Sequence, residues 1–127
     1  MWFGRPEANA AYAMGMADRE AFTATLDEIA VGLMALEYHF EATCNVWWLG
    51  VSPKVHRRGV GRALMDRAVI EARDRGCRRL AVETVSPRVD SSAYALTRQF
   101  YMALGFEPFV EVEPTPGDFL MWMIRTV

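Results

Sequence analysis

Runs of apolar residues in the first half of the chain have the length and spacing of β-strands. Residues 21–26 and 29–40 are two such runs on either side of an acidic pair at 27–28, which predicts a hairpin with a tight turn. Residues 44–51 place bulky side chains on both faces, which is typical of a central strand covered on both sides. Residues 6–19 show no strand-like alternation, and a proline followed by alanines predicts a helix there.

The second half of the chain opens with the period of a helix. Leu64, Ala68 and Ala72 form one apolar stripe, which predicts a helix over residues 60–75. Residues 79–85 then predict a short strand. A strand, a helix and a strand of these lengths imply a parallel strand pair with a right-handed crossover.

The last part of the chain predicts one more helix and two more strands. A serine at position 91 or 92 can cap a helix that ends near residue 104. Residues 107–112 and 119–125 then predict a final antiparallel pair. No linker or repeat divides the chain, so residues 1–127 are expected to form a single domain. The predicted fold class is mixed α/β (α+β), with antiparallel strands first and one parallel strand–helix–strand step.

The composition is that of a folded globular protein, since 52% of the 127 residues are hydrophobic and 24% are charged. A net charge of −2 gives no overall basic character, so nucleic acid is not an expected partner. The N-terminus has no signal-like apolar run, and the longest uncharged segment, residues 42–53, is shorter than the roughly 20 residues that cross a bilayer. We therefore expect no membrane partner and a cytoplasmic protein. Cys44 and Cys77 lack metal-ligand spacing, so we expect free thiols and no metal site.

Positive charge is concentrated in residues 54–79, which hold nine basic against three acidic side chains. Gly59 and Gly61 stand at the start of the helix predicted there. A helix start leaves backbone N–H groups without partners and carries the positive end of the helix dipole. Glycines allow a phosphate to approach those groups, so the turn predicts an anion site, most naturally for a pyrophosphate. The backbone N–H groups of residues 57–62 would hold the pyrophosphate, and the side chain of Arg57, Arg58 or Arg62 would add positive charge.

Two motifs occur in the order that one known family shows. The first is Val51-Ser52-Pro53 followed by His56-Arg57-Arg58-Gly59-Val60-Gly61. The second, about forty residues later, is Phe100-Tyr101-Met102-Ala103-Leu104-Gly105-Phe106. Together, over residues 20–127, they resemble the GNAT superfamily of acyl-CoA-dependent N-acyltransferases, whose signatures are Gln/Arg-x-x-Gly-x-Gly/Ala after Val-x-Pro, and Phe-Tyr-x-x-x-Gly-Phe.

The chain departs from the family's pattern in three places. His56 stands where Gln or Arg is usual, which changes one neighbour of the phosphate. Tyr94 and Thr97 occupy the region where many members have an Asn. Only about twenty residues precede the first clear strand, so we expect the family's first strand and first helix to be shortened or absent.

The resemblance implies acetyl-CoA as co-substrate, and transfer of an acyl group, in the first place acetyl, to a primary amine by direct attack in a ternary complex. Tyr101 would be the general acid toward the departing thiolate, and its alternative role is packing on the inner face of the helix. Backbone groups of Leu49, Gly50 and Val51 would contact the pantetheine arm and the thioester oxygen. The other cofactor-binding residues would be His56, Arg57, Arg58, Gly59, Val60, Gly61 and Arg62.

The general base is less clearly indicated. Asn45 stands where related enzymes often carry a glutamate, and an amide cannot take a proton. Glu37 and His39 point to one face of the preceding strand and could act through water, and Glu37 is our candidate. The alternative for both is a half-exposed hairpin side chain without a catalytic role.

A second class of function fits the same residues, namely an acyl-CoA-binding module that has lost catalysis and acts as a sensor or partner. Asn45, His56 and the short N-terminus favour it. A P-loop nucleotide enzyme is disfavoured because Gly-x-x-x-x-Gly-Lys-Ser/Thr is absent. We expect a small-molecule or peptide amine as acceptor, and a homodimer because a short N-terminus leaves one sheet edge less covered.

Overall fold

Six strands and two helices follow one another in the part of the chain that the structure, a computed structural model, describes. That part comprises residues 19–40 and 42–127, with only the backbone described at positions 39 and 40. The elements are β1 (Glu20–Leu26), β2 (Ile29–Phe40), β3 (Thr43–Val51), α1 (Val60–Asp74), β4 (Arg79–Val85), α2 (Ser92–Ala103), β5 (Glu107–Val112) and β6 (Leu120–Thr126). They confirm the predicted elements to within one or two residues at each end. The helix predicted over residues 6–19 lies outside the described residues, apart from its last position.

All six strands form one sheet in the order β1-β2-β3-β4-β6-β5. Among them, β3 and β4 are the parallel pair, and α1 connects them, as predicted. Their register runs from Thr43↔Arg79 to Val46↔Val82 and stops there, although both strands continue. The two strands therefore separate towards their C-terminal ends. The C-terminal end of β3 leads into the predicted anion turn.

Strand β3 has an extra residue at the point where it separates from β4. The neighbouring strand β2 pairs Ala35 with Trp48 and Leu36 with Val46, so Trp47 is accommodated as a β-bulge. A bulge bends its strand and increases the local twist. The bulge in β3 thus lies directly after the last residue that pairs with β4.

Both helices lie on one face of the sheet. A Cβ atom at Gly32 on β2 would lie 2.9 Å from Val60 Cγ1 and 3.1 Å from Leu64 Cδ1, so α1 packs directly on that backbone. A Cβ atom at Gly61 would lie 2.9 Å from Cζ of Phe100, which places α2 beside the first turn of α1. The core between sheet and helices includes Met34, Leu36, Cys44, Val46, Leu80, Val82 and Met123.

The opposite face of the sheet carries polar side chains near its centre. Asn45 pairs with Glu37 on one side and with Ala81 on the other. Because side chains alternate along a strand, these residues point away from the helices, and so does Glu83, two residues beyond Ala81. The sheet therefore separates an apolar face that packs against α1 and α2 from a face with acidic and amide groups.

The two cysteines are free, as predicted, with Cys44 buried and Cys77 partly buried. Burial raises the pKa of the Cys44 thiol to about 12, so the thiol stays protonated near neutral pH and is a poor nucleophile. Neither helix within residues 19–40 and 42–127 has the length and apolar character needed to cross a membrane.

The turn between β1 and β2 uses backbone angles that glycine adopts more easily. Asp27 and Glu28 have φ angles of 50° and 67°. Two successive positive φ angles are typical of a type I′ hairpin turn, in which Asn-Gly is strongly preferred. Other side chains are strained in this left-handed region. The predicted tight turn is therefore present, with a sequence that is not the best one for its shape.

Replacing both turn residues, Asp27→Asn with Glu28→Gly, should raise the free energy of unfolding by about 0.5–1 kcal/mol, because it relieves the left-handed strain. Urea unfolding followed by tryptophan fluorescence measures this change. Asp27→Asn with Glu28→Ala is the matched control, since it removes the same two charges and keeps a Cβ at the positive φ of position 28. An equal gain from this control would show that charge, and not backbone geometry, limits the turn.

Candidate functional site

A short turn joins β3 to α1 at the place where β3 has left β4. Residues Pro53–Val55 form a single 3-10 turn, and Gly59 caps α1 with a φ of 83°. The hydrogen bond that starts α1 runs from the Ala63 N–H to the Gly59 carbonyl, at 2.9 Å. The N–H groups of the three residues between them have no acceptor within the helix and point out of its N-terminal end. This geometry suits the predicted anion site.

One of the backbone N–H groups predicted to bind the anion, among those of residues 57–62, already has an acceptor within the protein. The Arg58 N–H donates to the Val55 carbonyl at 3.3 Å, so it is not available to a ligand, and only the Arg58 side chain remains as a candidate. Arg57 has a φ of 67°, in the region that glycine favours. A non-glycine residue held in this conformation marks local strain, and such residues cluster at binding and catalytic sites.

An open cavity of about 480 Å³ lies beside this turn, between the end of β3 and α2. Its lining residues are Val51, Pro53, Val55, His56, Arg57, Gly61, Ala93, Leu96, Thr97 and Phe100. Its apolar side chains come equally from α2 and from the end of β3 with the turn, and its polar side chains come mainly from the turn. A cavity of this size, mostly apolar with a few polar groups, is typical of cofactor and small-molecule sites.

The predicted cofactor residues gather around this cavity at three depths. Lining it are Val51, His56, Arg57 and Gly61. Buried behind it are Leu49, Gly50 and Val60. Exposed at the same helix start are Arg58, Gly59 and Arg62. The structure therefore brings all ten to one region.

The two glycines of the turn have different structural roles. Gly59 has open space around it and a positive φ, so its role is the backbone angle that starts α1. At Gly61, a Cβ atom would lie 2.9 Å and 3.2 Å from two atoms of the Phe100 ring. Gly61 is therefore required for the close packing of α1 against α2 behind the cavity.

His56, which stands where the family usually has Gln or Arg, is tied to the end of β3. Its Nε2 lies 3.0 Å from the Val51 carbonyl oxygen. A carbonyl oxygen only accepts, so Nε2 carries the hydrogen and donates it. The imidazole thus holds the turn against the strand while lining the cavity.

Tyr101 is buried, with 6% of its surface exposed, and its ring packs between those of Phe100 and Phe106 at 5.6 Å and 5.7 Å. It directly follows the cavity-lining Phe100 but does not itself line the cavity. Its role as general acid stays a prediction. Thr97 does line the cavity, and its hydroxyl donates to the Ala93 carbonyl at 3.2 Å.

Glu37, the predicted base, lies on the face away from the helices and is held by two donors. Arg19 Nε donates to its Oε2 at 2.7 Å, and Asn45 Nδ2 donates to its Oε1 at 2.6 Å. Its side chain is 9% exposed. The Arg19 guanidinium also stacks on Trp47, 3.7 Å from the ring centroid. The catalytic role of Glu37 stays a prediction, and the side chain of His39 lies outside the described residues.

Glu83 is a candidate that the motifs did not indicate. Partial burial raises the pKa of its carboxyl, and the negative charges of Asp118 and Glu37 raise it further. It lies on β4 one residue past Val82, where the pairing with β3 ends. A carboxyl whose pKa is raised in this way suits a general base. The signal in the sequence was a single charge inside the apolar run at 80–85.

The fold and the two motifs agree with a known family. The family model described as acetyltransferase (GNAT) domain matches residues 17–108. The chain therefore belongs to the GNAT acetyltransferase family, as its resemblance to that family predicted. A comparison with curated protein sequences finds no match.

Solved structures share this fold. A protein of the GNAT acetyltransferase family from Desulfovibrio desulfuricans has a TM-score of 0.75 and 27% identity, with 94% of this chain and 76% of that chain covered. The ribosomal-protein-S18-alanine N-acetyltransferase of Escherichia coli has a TM-score of 0.74 and 20% identity, covering 98% and 79%. A GNAT acetyltransferase from Elizabethkingia anophelis, solved with acetyl-CoA bound, has a TM-score of 0.73 and 17% identity, covering 97% and 84%. They confirm the predicted mixed sheet.

Substitution Gly61→Ala should lower the free energy of unfolding by about 1–3 kcal/mol, because the new methyl group meets the Phe100 ring. In a Phe100→Leu background the cost should shrink, since the smaller side chain leaves room for the methyl group. Urea unfolding of the four proteins gives the coupling energy as a double-mutant cycle. Equal costs in both backgrounds would contradict the packing role of Gly61.

Proposed function

We propose that this protein is an N-acetyltransferase that moves an acyl group, in the first place acetyl, from acyl-CoA to a primary amine. The observation that carries the proposal is that three features meet at one cavity: the start of α1, the end of β3 and the apolar side of α2. This arrangement can take a pyrophosphate at the helix start and an extended arm along the strand. The acetyl-CoA found in the Elizabethkingia anophelis relative supports it.

The residues around the cavity match the chemical groups of coenzyme A. The N–H groups of Val60, Gly61 and Arg62 would donate to the pyrophosphate at the positive end of the helix dipole. Arg57, which lines the cavity, would add a charge-assisted hydrogen bond. The apolar side chains of α2, such as Leu96, would contact the uncharged parts of the cofactor.

The reaction needs two proton transfers that involve side chains of the protein. Bound acyl-CoA supplies a thioester whose carbonyl carbon accepts the amine nitrogen, so that a C–N bond forms and the C–S bond breaks. Glu83 would remove a proton from the amine, and Tyr101 would give its phenolic proton to the departing thiolate. The products are then an amide and a free thiol. A backbone N–H of β3 would stabilise the negative charge on the thioester oxygen.

Glu83 is a better base in this scheme than Glu37, because both oxygens of Glu37 already accept hydrogen bonds. Glu83 also lies next to the point where β3 and β4 separate, which brings it close to an acyl group held along β3. Glu37 remains the second candidate. The acceptor in this proposal is a small-molecule or peptide amine, and a homodimer and a cytoplasmic location stay predictions.

The second candidate function is an acyl-CoA-binding module without catalysis. Its specific support is Tyr101, which is buried among aromatic rings and is absent from the lining of the cavity. Such a protein would keep the turn, the cavity and the helix packing and would show no turnover. The two candidates therefore differ in thiol release and not in cofactor affinity.

Free thiol should be released when the protein is mixed with acetyl-CoA and a panel of primary amines. Tyr101→Phe should keep cofactor binding and lower kcat by about 10²-fold or more, because it removes the proposed proton donor. Tyr94→Phe is the control, since it removes a phenolic hydroxyl from the same helix and should leave kcat unchanged. If acetyl-CoA binds and none of the amines raises thiol release, the binding-module function is correct.

The pH dependence of kcat/KM should report Glu83. The carboxylate form is the active one, so activity should fall as the pH drops through its pKa, which lies above the usual glutamate range. Glu83→Gln should remove this acid limb and lower kcat by about 10²-fold or more. Glu37→Gln is measured in parallel. Loss of the acid limb in Glu37→Gln, with an unchanged profile in Glu83→Gln, would assign the base to Glu37.

A further inference from the structure

The face of the sheet opposite the helices holds a group of charged side chains that the cofactor cavity does not use. Partial burial raises the pKa of the Glu83 carboxyl, and the charges of Asp118 and Glu37 raise it further, so both of these carboxylates lie near Glu83. Arg19 forms an ion pair with Glu37. With every group ionised, three carboxylates and one guanidinium leave these four side chains at a formal charge of −2. We call Glu37, Asn45, Glu83 and Asp118 the acidic patch.

Asn45 supplies a buried acceptor at the centre of the acidic patch. It is 4% exposed, and its Nδ2 donates to Glu37 Oε1 at 2.6 Å, which fixes the orientation of the amide. Within residues 19–40 and 42–127, its Oδ1 has no hydrogen-bond donor. A buried acceptor without a hydrogen bond lowers the stability of the folded protein, and a ligand that donates an N–H group to it removes this penalty.

A cationic group already lies against this patch. The Arg19 guanidinium is 2.7 Å from Glu37 Oε2 and 3.7 Å from the centroid of the Trp47 ring. A carboxylate beside the face of an indole attracts ammonium and guanidinium groups. The chemistry of this face therefore selects positively charged nitrogen.

The acidic patch also has access to the cofactor side. Glu83 follows Val82, the last residue of β4 that pairs with β3, and beyond this point the two strands separate. A ligand on this face can therefore approach an acyl group held along the end of β3 from the other side of the sheet. The cofactor cavity and the acidic patch then lie on opposite sides of one gap.

We propose that the acidic patch is the acceptor subsite and that the acceptor is an aliphatic diamine. One nitrogen stays protonated and donates to Asn45 Oδ1, near the carboxylates of Glu37 and Asp118. The other nitrogen gives a proton to Glu83 and forms the amide bond as the thiol leaves. The two charges of a diamine match the formal charge of −2 that the acidic patch and Arg19 carry together. This inference rests on the proposed function, because its reactive nitrogen is the acceptor of that reaction.

The kinetic test compares 1,4-diaminobutane with pentylamine, which has the same number of heavy atoms and one charge fewer. The diamine should have a kcat/KM at least tenfold higher, and added salt should reduce this ratio. Asp118→Asn, an isosteric change in an exposed loop, should lower the ratio severalfold. Asp66→Asn is the matched control, since it removes an exposed carboxylate from α1 on the other face and should leave the ratio unchanged. A ratio near one, or a ratio insensitive to Asp118→Asn, would overturn the inference.

A binding test separates this inference from the proposed function. N,N,N′,N′-tetramethyl-1,4-diaminobutane carries the same two charges and cannot be acylated to a stable amide. Without acyl-CoA, it should raise the Tm of the wild type by about 3 °C or more at saturating concentration, and both Asn45→Ala and Asp118→Asn should reduce the rise. If this compound binds in that way and no amine is acylated, the subsite stands and the proposed function fails. If amines are acylated and this compound does not bind, the subsite alone fails.

Discussion

Strands β3 and β4 share a register over four residues and then separate, and both proposed binding regions of the molecule lie near that separation. The extra residue Trp47 adds twist to β3 directly after its last pairing with β4. On the helix side of the gap lies the cavity, and on the other side lies the acidic patch. The proposed reaction needs the amine on one side of this gap to reach the acyl group on the other. The strand separation is thus the constraint on which the proposed reaction depends.

The position and orientation of the first turn of α1 depend on close packing. The first turn of α1 lies against Gly32 on β2 and against Phe100 on α2, and both contacts need a missing Cβ. His56 adds a hydrogen bond from the turn to the end of β3. These contacts fix where the first N–H groups of α1 point, so the predicted anion site would be preorganised by apolar packing and not by its charges alone.

The local part of this picture could be predicted from the sequence. Strands, helices and the glycine-rich turn are encoded by short-range periodicity and by residues with special backbone preferences, and two motifs in order were enough to indicate the family. Contacts between distant segments could not be predicted. Arg19 meets Glu37 through strand register, and the pKa of Glu83 is raised first by burial and then by the charge of Asp118, which lies in a distant loop. The packing of Gly61 against Phe100 could not be predicted either, because the two residues lie on different helices.

The central claim is that coenzyme A binds with its pyrophosphate at the start of α1 and its arm along the end of β3. Backbone amide chemical shifts, measured by nuclear magnetic resonance during a titration with coenzyme A, test this most directly. The largest changes should occur at the amides of Val60, Gly61 and Arg62, with further changes at Leu49 to Val51 and in α2. No saturable change, or changes confined to other parts of the molecule, would contradict the account.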